Sequence, residues 1–173
     1  GRPLEFGQAI GALTRGLSSL PAGAAVSRLT SEHGLDPLAA ENLLQYLADQ
    51  RAATNALPDD ATVVVERCRD ELGEWRVCVL SPFGGRVLAP WALAATARIR
   101  ERTGLDVEVM WTDDGFVVRF PETDEPPDVG LVVPEPDEAE RLVVAQLGSS
   151  ALFAAKFREC AGRALLLPRR RPG

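Results

Sequence analysis

The most constraining feature of this sequence is a change of period near residue 62, where helical spacing of the apolar residues gives way to alternation. Alternation predicts strands, because successive side chains of a strand point to opposite faces of a sheet. Val63 to Arg69 and Trp75 to Leu80 alternate in this way and are joined by the sequence DELGE. Within it, Gly73 suits the left-handed position of a hairpin loop. A β-hairpin is therefore predicted near the middle of the chain.

A helix and a second hairpin follow the first hairpin. Residues from Pro90 to Thr103 have helical spacing and end before a glycine. Leu105 to Trp111 and Phe116 to Phe120 alternate, and an Asp114-Gly115 pair between them predicts a two-residue turn. With that turn, Trp111 faces a valine of the partner strand, so we expect its ring in the core.

Helical periodicity also fills the two ends of the chain. Leu4 to Gln50 predicts three helices, of which Asp36 caps the third. Asp137 to Leu147 and Ala151 to Leu167 predict two more, after an acidic, proline-rich connection at residues 122–136 that we expect to be exposed. The predicted class is α+β, with a helical segment at 1–57, an antiparallel ββαββ unit at 58–121 that is either open or part of a barrel, and C-terminal helices with a basic tail at 137–173.

Composition limits the class of protein. With 46% hydrophobic and 25% charged residues the chain has globular proportions, and no apolar run approaches the roughly 20 residues needed to cross a bilayer. The net charge of -6 disfavours general binding to polyanions, so a nucleic-acid contact requires local arginine clusters. The three cysteines lack metal-ligand spacing, and we expect them to be buried apolar side chains in a reducing, cytoplasmic setting. The chain starts GRPLEFGQ, without methionine or a signal-peptide layout, and we expect it to be a segment of a longer protein.

The sequence carries no recognisable motif for catalysis. GxxxxGK[ST], GxSxG, HExxH and paired-cysteine patterns are all absent from it, and a single histidine leaves little for acid-base chemistry. We therefore expect no catalytic residue, metal site or cofactor site within these residues.

The stretch SPFGGRVLAPWALA, which starts at Ser81, contains the leading candidate for a binding site. At about 100° per residue, Trp91 shares a helix face with Arg98 and Arg102, opposite the apolar residues expected to pack on the sheet. A solvent-facing tryptophan in line with arginines suits stacking on a base beside a phosphate track. The alternative is that Trp91 packs against the N-terminal helices or another domain.

Two further groups of residues could extend this candidate site. Close backbone approach at Gly84-Gly85, the guanidinium of Arg86 and a helix start at Pro90 would together suit an anion. The register of the first hairpin gathers a second group on one face of the sheet, namely Arg67, Arg69 and Trp75.

Long runs of this sequence resemble a known family. VVVERCRDELGEWRVCVLSPFGGRVLAPWALA, VEVMWTDDG and ALFAAKFRECAGRALLLPRRRPG are similar to the helicase-associated region of bacterial large helicase-related (Lhr-type) proteins. The likeness is dense from Thr62 to Gly173, which implies that residues 57–173 form one associated module. In that family, motor domains and a winged helix precede the module, and the whole protein is an ATP-dependent helicase. It moves 3′ to 5′ on single-stranded DNA and unwinds duplexes, including RNA:DNA hybrids.

The resemblance implies a role beside a nucleic-acid strand, within a DNA-repair context. The family's stacking tryptophan matches Trp91 first and Trp75 second. The implied partners are single-stranded DNA, an RNA:DNA hybrid, and the motor and winged-helix domains of the same protein. ATP and magnesium would bind in those motor domains, whose motifs this chain lacks.

A non-catalytic scaffold is the competing interpretation. In it, the arginines dock onto acidic protein surfaces and never meet DNA. Strand binding by arginines weakens steeply as salt rises, whereas a scaffold shows no salt-dependent affinity for DNA.

Overall fold

The structure is a computed structural model that describes residues 1–166, apart from the side chain of Leu152. In chain order its elements are α1 (Leu4–Ser18), α2 (Ala22–His33), α3 (Pro37–Thr54), β1 (Val64–Arg69), β2 (Trp75–Leu80), α4 (Gly85–Thr103), β3 (Glu108–Trp111), β4 (Gly115–Arg119), a 3₁₀ turn (Val129–Val132), α5 (Pro136–Leu147) and α6 (Ala151–Arg163). This order confirms the predicted α+β class and the ββαββ unit.

The three N-terminal helices share a small core, and α1 packs closely on loops of the sheet unit. Leu17, Leu29 and Ala40 form that core, and the Asp36 carboxylate accepts a hydrogen bond from the backbone of Ala39 at 2.8 Å, as predicted for a cap. Helix α1 lies so close to the loop before β1 that a Cβ on Gly11 would be only 2.4 Å from a backbone nitrogen of that loop.

The four strands form one open antiparallel sheet in the order β1-β2-β4-β3. Strands β1 and β3 are its edges, so within residues 1–166 the sheet is open and does not close into a barrel. The first hairpin has the predicted register, with Arg69 opposite Trp75, and Gly73 takes a φ of 83° in its loop.

The second hairpin turns one residue earlier than predicted. Trp111 pairs with Phe116, and the backbone N–H of Thr112 donates to the carbonyl of Gly115 at 2.8 Å, so Asp113 and Asp114 form the turn. Gly115 is instead the first residue of β4. A glycine is needed there because a Cβ would lie 2.3 Å from the carbonyl oxygen of a β2 residue. Trp111 stays on the face of the sheet that carries buried Phe116, but it lies at the end of edge strand β3, where 46% of it is exposed instead of being in the predicted core.

Helix α4 is the central element of the fold, and it starts five residues before the predicted Pro90. Gly84 precedes it with a φ of 83°, which favours glycine. One side of α4, including Leu88, Ala92 and Ile99, packs on the sheet residues Val77, Val79, Phe116 and Val118. Another side packs on α5 through small residues, Ala94 and Ala97 against Leu142. The helix is therefore covered on two sides.

Residues 121–135, which we call the strap, join β4 to α5 and contain most of the connection at 122–136 that was predicted to be exposed. The prediction holds for much of the acidic part, but the 3₁₀ turn anchors the strap because Val132 is fully buried in the main core. Asp128 caps this turn by accepting a hydrogen bond from the backbone of Gly130 at 2.9 Å. The strap is thus a packed element in its second half.

The last described helix, α6, lies mostly on the surface. Ser150 caps it through a 3.1 Å hydrogen bond from the backbone of Phe153. Its two phenylalanines are exposed, with Phe153 and Phe157 stacked on each other at 5.9 Å. Helix α6 ends at Arg163, so the prediction that it continues to Leu167 is wrong. The basic tail lies outside the described residues.

The cysteines differ from the sequence expectation. Cys68 and Cys160 are exposed and Cys78 is half-buried, so the prediction of three buried thiols is wrong. Burial raises the pKa of the Cys78 thiol to about 11. Among the helices of residues 1–166, none has the length and apolar character needed to cross a membrane.

Candidate nucleic-acid interface

Trp91 does not face solvent, so the orientation predicted from the helical wheel is wrong. Its indole packs edge-on against Phe116, with ring centroids 5.6 Å apart, and its Nε1–H donates to the carbonyl oxygen of Val132 at 2.7 Å. The wheel assumed that only the sheet covers α4, whereas the strap and α5 cover the face that carries Trp91. Its predicted role in strand binding stays a prediction.

Arg98 is buried, with only 7% of its surface exposed. Its Nη1 donates to the carbonyl oxygens of Gly130, at 3.2 Å, and Val133, while its Nε lies 3.1 Å from the carboxylate of Glu138. Arg102 reaches the same carboxylate at 3.9 Å with 54% of its side chain exposed. Glu138 therefore offsets the charge of both arginines, and Arg98 holds the chain's own strap.

Arg67, Arg69 and Trp75 lie together on one face of the first hairpin, as predicted. The guanidinium carbons of Arg69 and Arg67 lie 4.5 Å and 5.7 Å from the centre of the Trp75 ring. Arg67 also donates to the carbonyl oxygen of Pro127 at 2.9 Å, and Arg69 donates to that of Asp124 at 3.4 Å. We call this group the hairpin platform. It too contacts the strap, through uncharged backbone carbonyls.

Arg86 is the predicted contact residue with the most accessible charge. It lies exposed in the first turn of α4, and within residues 1–166 it forms no ion pair with a carboxylate. An arginine in this state can approach a phosphate without first giving up a carboxylate partner.

The start of α4 already binds an internal anion. The Asp113 carboxylate accepts hydrogen bonds from the backbone N–H of Gly85 at 2.7 Å and of Arg2 at 3.0 Å. The N–H of Arg2, followed by that of Gly85, holds the Asp113 pKa below its usual range. The prediction of free N–H groups at Pro90 is therefore wrong, because the helix starts earlier and a carboxylate occupies its N-terminus.

Trp111, which was expected in the core, is a further candidate contact residue. A Cβ on Gly85 would lie 2.6 Å from Cζ3 of Trp111, so the indole rests on the backbone at the start of α4. Gly85 directly precedes Arg86 in the sequence. Its 46% exposure contrasts with the half-buried Trp75 and Trp91. The sequence contains one signal for this contact, the Gly84-Gly85 pair. A positive φ explains the glycine at position 84, whereas the glycine at position 85 is explained by the close approach of Trp111.

An apolar groove of about 390 Å³ continues from this region between α4 and α5. Part of the Trp91 indole forms its wall, and Glu140 is its one charged lining residue among those described. The other lining residues are Val87, Pro90, Ala94, Pro134, Ala139 and Val143. Over residues 1–166, no three His, Cys, Asp or Glu side chains come close enough to hold a metal ion.

Comparison with known proteins places this chain among helicase-associated sequences. The family model described as DEAD/H associated matches residues 57–173. The chain is 52% identical to the Lhr helicase/probable uracil glycosylase of Mycolicibacterium smegmatis over its whole length, which is 12% of that protein. It is 44% identical to the Lhr helicase/uracil glycosylase of Escherichia coli, again over its whole length and 11% of the relative.

A solved structure is similar to the whole fold. The structure of Mycobacterium smegmatis helicase Lhr bound to ssDNA and AMP-PNP aligns with 99% of this chain and 22% of its own, at a TM-score of 0.88 and 51% identity. The Lhr-type resemblance of the sequence is confirmed by these relatives. The family match covers well over half of the chain, and the chain therefore belongs to the DEAD/H-associated family.

Proposed function

We propose that this chain is the accessory module of an Lhr-type, ATP-dependent helicase and contacts the single strand along which the helicase moves 3′ to 5′. The observation that carries the proposal is the likeness, at 51% identity and a TM-score of 0.88, to a helicase solved with ssDNA. The whole protein would unwind DNA duplexes and RNA:DNA hybrids, with ATP and magnesium bound in motor domains outside these residues.

The start of α4 is the surface of this chain that best suits a strand. Arg86 offers a guanidinium to phosphates, and the exposed ring of Trp111 offers a stacking surface beside it. Stacking on an aromatic ring contributes about 1–3 kcal/mol per base and tolerates any base. The adjoining groove brings the Trp91 indole within the same region of α4. The proposed contact therefore combines one charge with aromatic surface, as sequence-independent tracking requires.

Arg98 and Arg102 contribute little to this contact. Both lie close to Glu138, and the guanidinium of Arg98 is buried against strap carbonyls. Removing Arg98 from these partners to bind a phosphate would leave Glu138, in a mostly buried position, with only Arg102 at 3.9 Å. Their function is to hold the strap and α5 on α4.

Salt-dependent binding of labelled single-stranded DNA to the full-length protein tests the proposal. Each phosphate contact on a single strand contributes about 0.7 to the slope of log affinity against log salt. We expect Arg86→Gln to reduce that slope by about this amount and Trp111→Leu, which keeps an apolar contact with Gly85, to weaken binding with little change of slope. Arg158→Gln on α6 removes another exposed arginine and is the matched control. An Arg86→Gln slope equal to that of the control would contradict the proposed contact.

The scaffold interpretation is supported by a specific observation, which is that Arg67, Arg69, Arg98 and Trp91 all donate hydrogen bonds to the strap of the same chain. A scaffold predicts that neither Arg86→Gln nor Trp111→Leu changes strand affinity in a folded protein. The same titration therefore separates the two functions.

A further inference from the structure

We propose that the hairpin platform of Arg67, Arg69 and Trp75 is a second site for single-stranded nucleic acid, and that the acidic half of the strap, residues 121–128, covers it reversibly. The inference rests on the proposed function, because it adds a second contact to a strand already held at α4. It concerns a different edge of the sheet, at β1, and different side chains.

The platform has the chemistry of a strand site. Its two guanidinium groups lie over one indole ring, at 4.5 Å and 5.7 Å, which keeps their charges close together and their polar edges accessible. Both arginines are exposed, and in the described part of the chain neither forms an ion pair with a carboxylate. Two uncompensated positive charges on an aromatic surface favour a phosphate beside a stacked base.

The groups that now occupy the platform are weaker partners than a phosphate. Arg67 donates to the carbonyl of Pro127 at 2.9 Å, whereas Arg69 makes only long hydrogen bonds, of 3.4 Å, to the carbonyls of Asp124 and Gly73. A phosphate can accept two parallel hydrogen bonds from one guanidinium and adds the attraction of opposite charges, which a neutral carbonyl lacks. A phosphate can therefore compete with the strap for these donors.

A second observation is an unsatisfied donor in the platform itself. The Nε1–H of Trp75 is buried and has no hydrogen-bond partner among the described residues. An indole N–H without an acceptor costs free energy when it is withdrawn from water. The platform therefore holds one polar group that the present conformation leaves unpaired.

The acidic half of the strap has the charge of a competitor for the strand. It contains four carboxylates and no basic residue, and two of its backbone carbonyls contact the platform arginines. These carboxylates attract the arginines and repel phosphates over distances comparable to the Debye length of about 10 Å at 0.1 M salt. The segment therefore lowers strand affinity while it lies in place.

The two halves of the strap are held very differently, which permits one to lift alone. The second half is anchored by buried Val132 and by hydrogen bonds from Trp91 and Arg98. Asp128, which caps the 3₁₀ turn, marks the boundary. Movement of residues 121–127 would break the hydrogen bonds from Arg67 and Arg69 and leave the core contacts of the second half in place.

The test compares strand affinities of the full-length protein with the acidic half neutralised. The variant E122Q/D124N/E125Q keeps Asp128, and with it the cap of the 3₁₀ turn. We expect it to bind labelled single-stranded DNA about fivefold more tightly at 0.1 M salt, as an order-of-magnitude estimate for removing three nearby like charges. Adding R67Q/R69Q should abolish that gain, because the gain is exerted through the platform. Such non-additivity is the signature of a direct interaction.

Matched controls make each outcome decisive. The variant E32Q/E41Q/D49N changes net charge equally on α2 and α3 and should alter affinity less than about twofold. An equal gain in this control, or a gain that survives R67Q/R69Q, would overturn the platform proposal. If Arg86→Gln lowers the salt slope while the strap variant leaves affinity unchanged, the proposed function stands and the second site fails. If the protein binds no single-stranded DNA, both fail.

Discussion

Replacing Arg98 with methionine separates a structural arginine from a strand-binding one. The substitution keeps an apolar stem of similar length but removes a guanidinium that bonds two strap carbonyls and lies 3.1 Å from Glu138. Losing one partner of a buried ion pair costs about 3–5 kcal/mol, since the other charge stays buried and unpaired. The Glu138 side chain is 20% exposed and can rehydrate in part, so we expect about 3 kcal/mol, the lower end.

Urea unfolding of the chain, with Arg102→Met as the matched control, measures this effect. Arg102 reaches the same carboxylate at 3.9 Å from a half-exposed position, so its loss should cost less than about 1 kcal/mol. Strand affinity of folded Arg98→Met protein should stay within about twofold of the original. Two equal, small losses of stability, or a folded Arg98→Met protein that binds strand far more weakly, would refute the assignment of Arg98 to the strap.

Three further predictions concern packing and titration. Gly11→Ala should lower the free energy of unfolding, measured in urea, by about 1–3 kcal/mol, because its Cβ would lie 2.4 Å from a backbone nitrogen. The control is Gly23→Ala on α2, whose Cβ meets nothing within 4 Å and which should not destabilise the chain. The Cys78 thiol, whose pKa burial raises to about 11, should be alkylated at pH 8 more slowly than in the urea-unfolded chain, as followed by peptide mass spectrometry; equal rates would contradict the assigned environment. The lowered pKa of Asp113 makes its charge stabilising above its unfolded pKa, and that contribution is lost as pH falls through the folded value. Melting temperatures from pH 5 down to pH 2 should therefore fall less steeply for Asp113→Asn than for the original chain, and identical slopes would count against the bonded carboxylate.

Local signals were sufficient for those elements whose geometry is decided locally. The first hairpin was predicted with the right register because Gly73 fixes the loop and the flanking alternation fixes the faces. The cap at Asp36 follows equally from residue type and position. These features depend on neighbours within a few residues, and the sequence displays them directly.

The candidate site was predicted less well because long-range packing decides it. A helical wheel gives the faces of α4 but not what covers each face, and the strap that covers the Trp91 face comes from residues far along the chain. The second hairpin was shifted because Gly115 is required by contact with β2, a constraint that a turn pattern cannot reveal. Trp111 was assigned to the core from its cross-strand partner, although β3 is an edge strand and Trp111 is the most exposed of the tryptophans.

Hydrogen-deuterium exchange of the full-length protein, with and without saturating single-stranded DNA, tests most directly whether a strand contacts the start of α4. The account predicts added protection in peptides that cover residues 84–91 and in those that contain Trp111, with little change across α6. Unchanged exchange at both places in a protein shown to be saturated with DNA would contradict it.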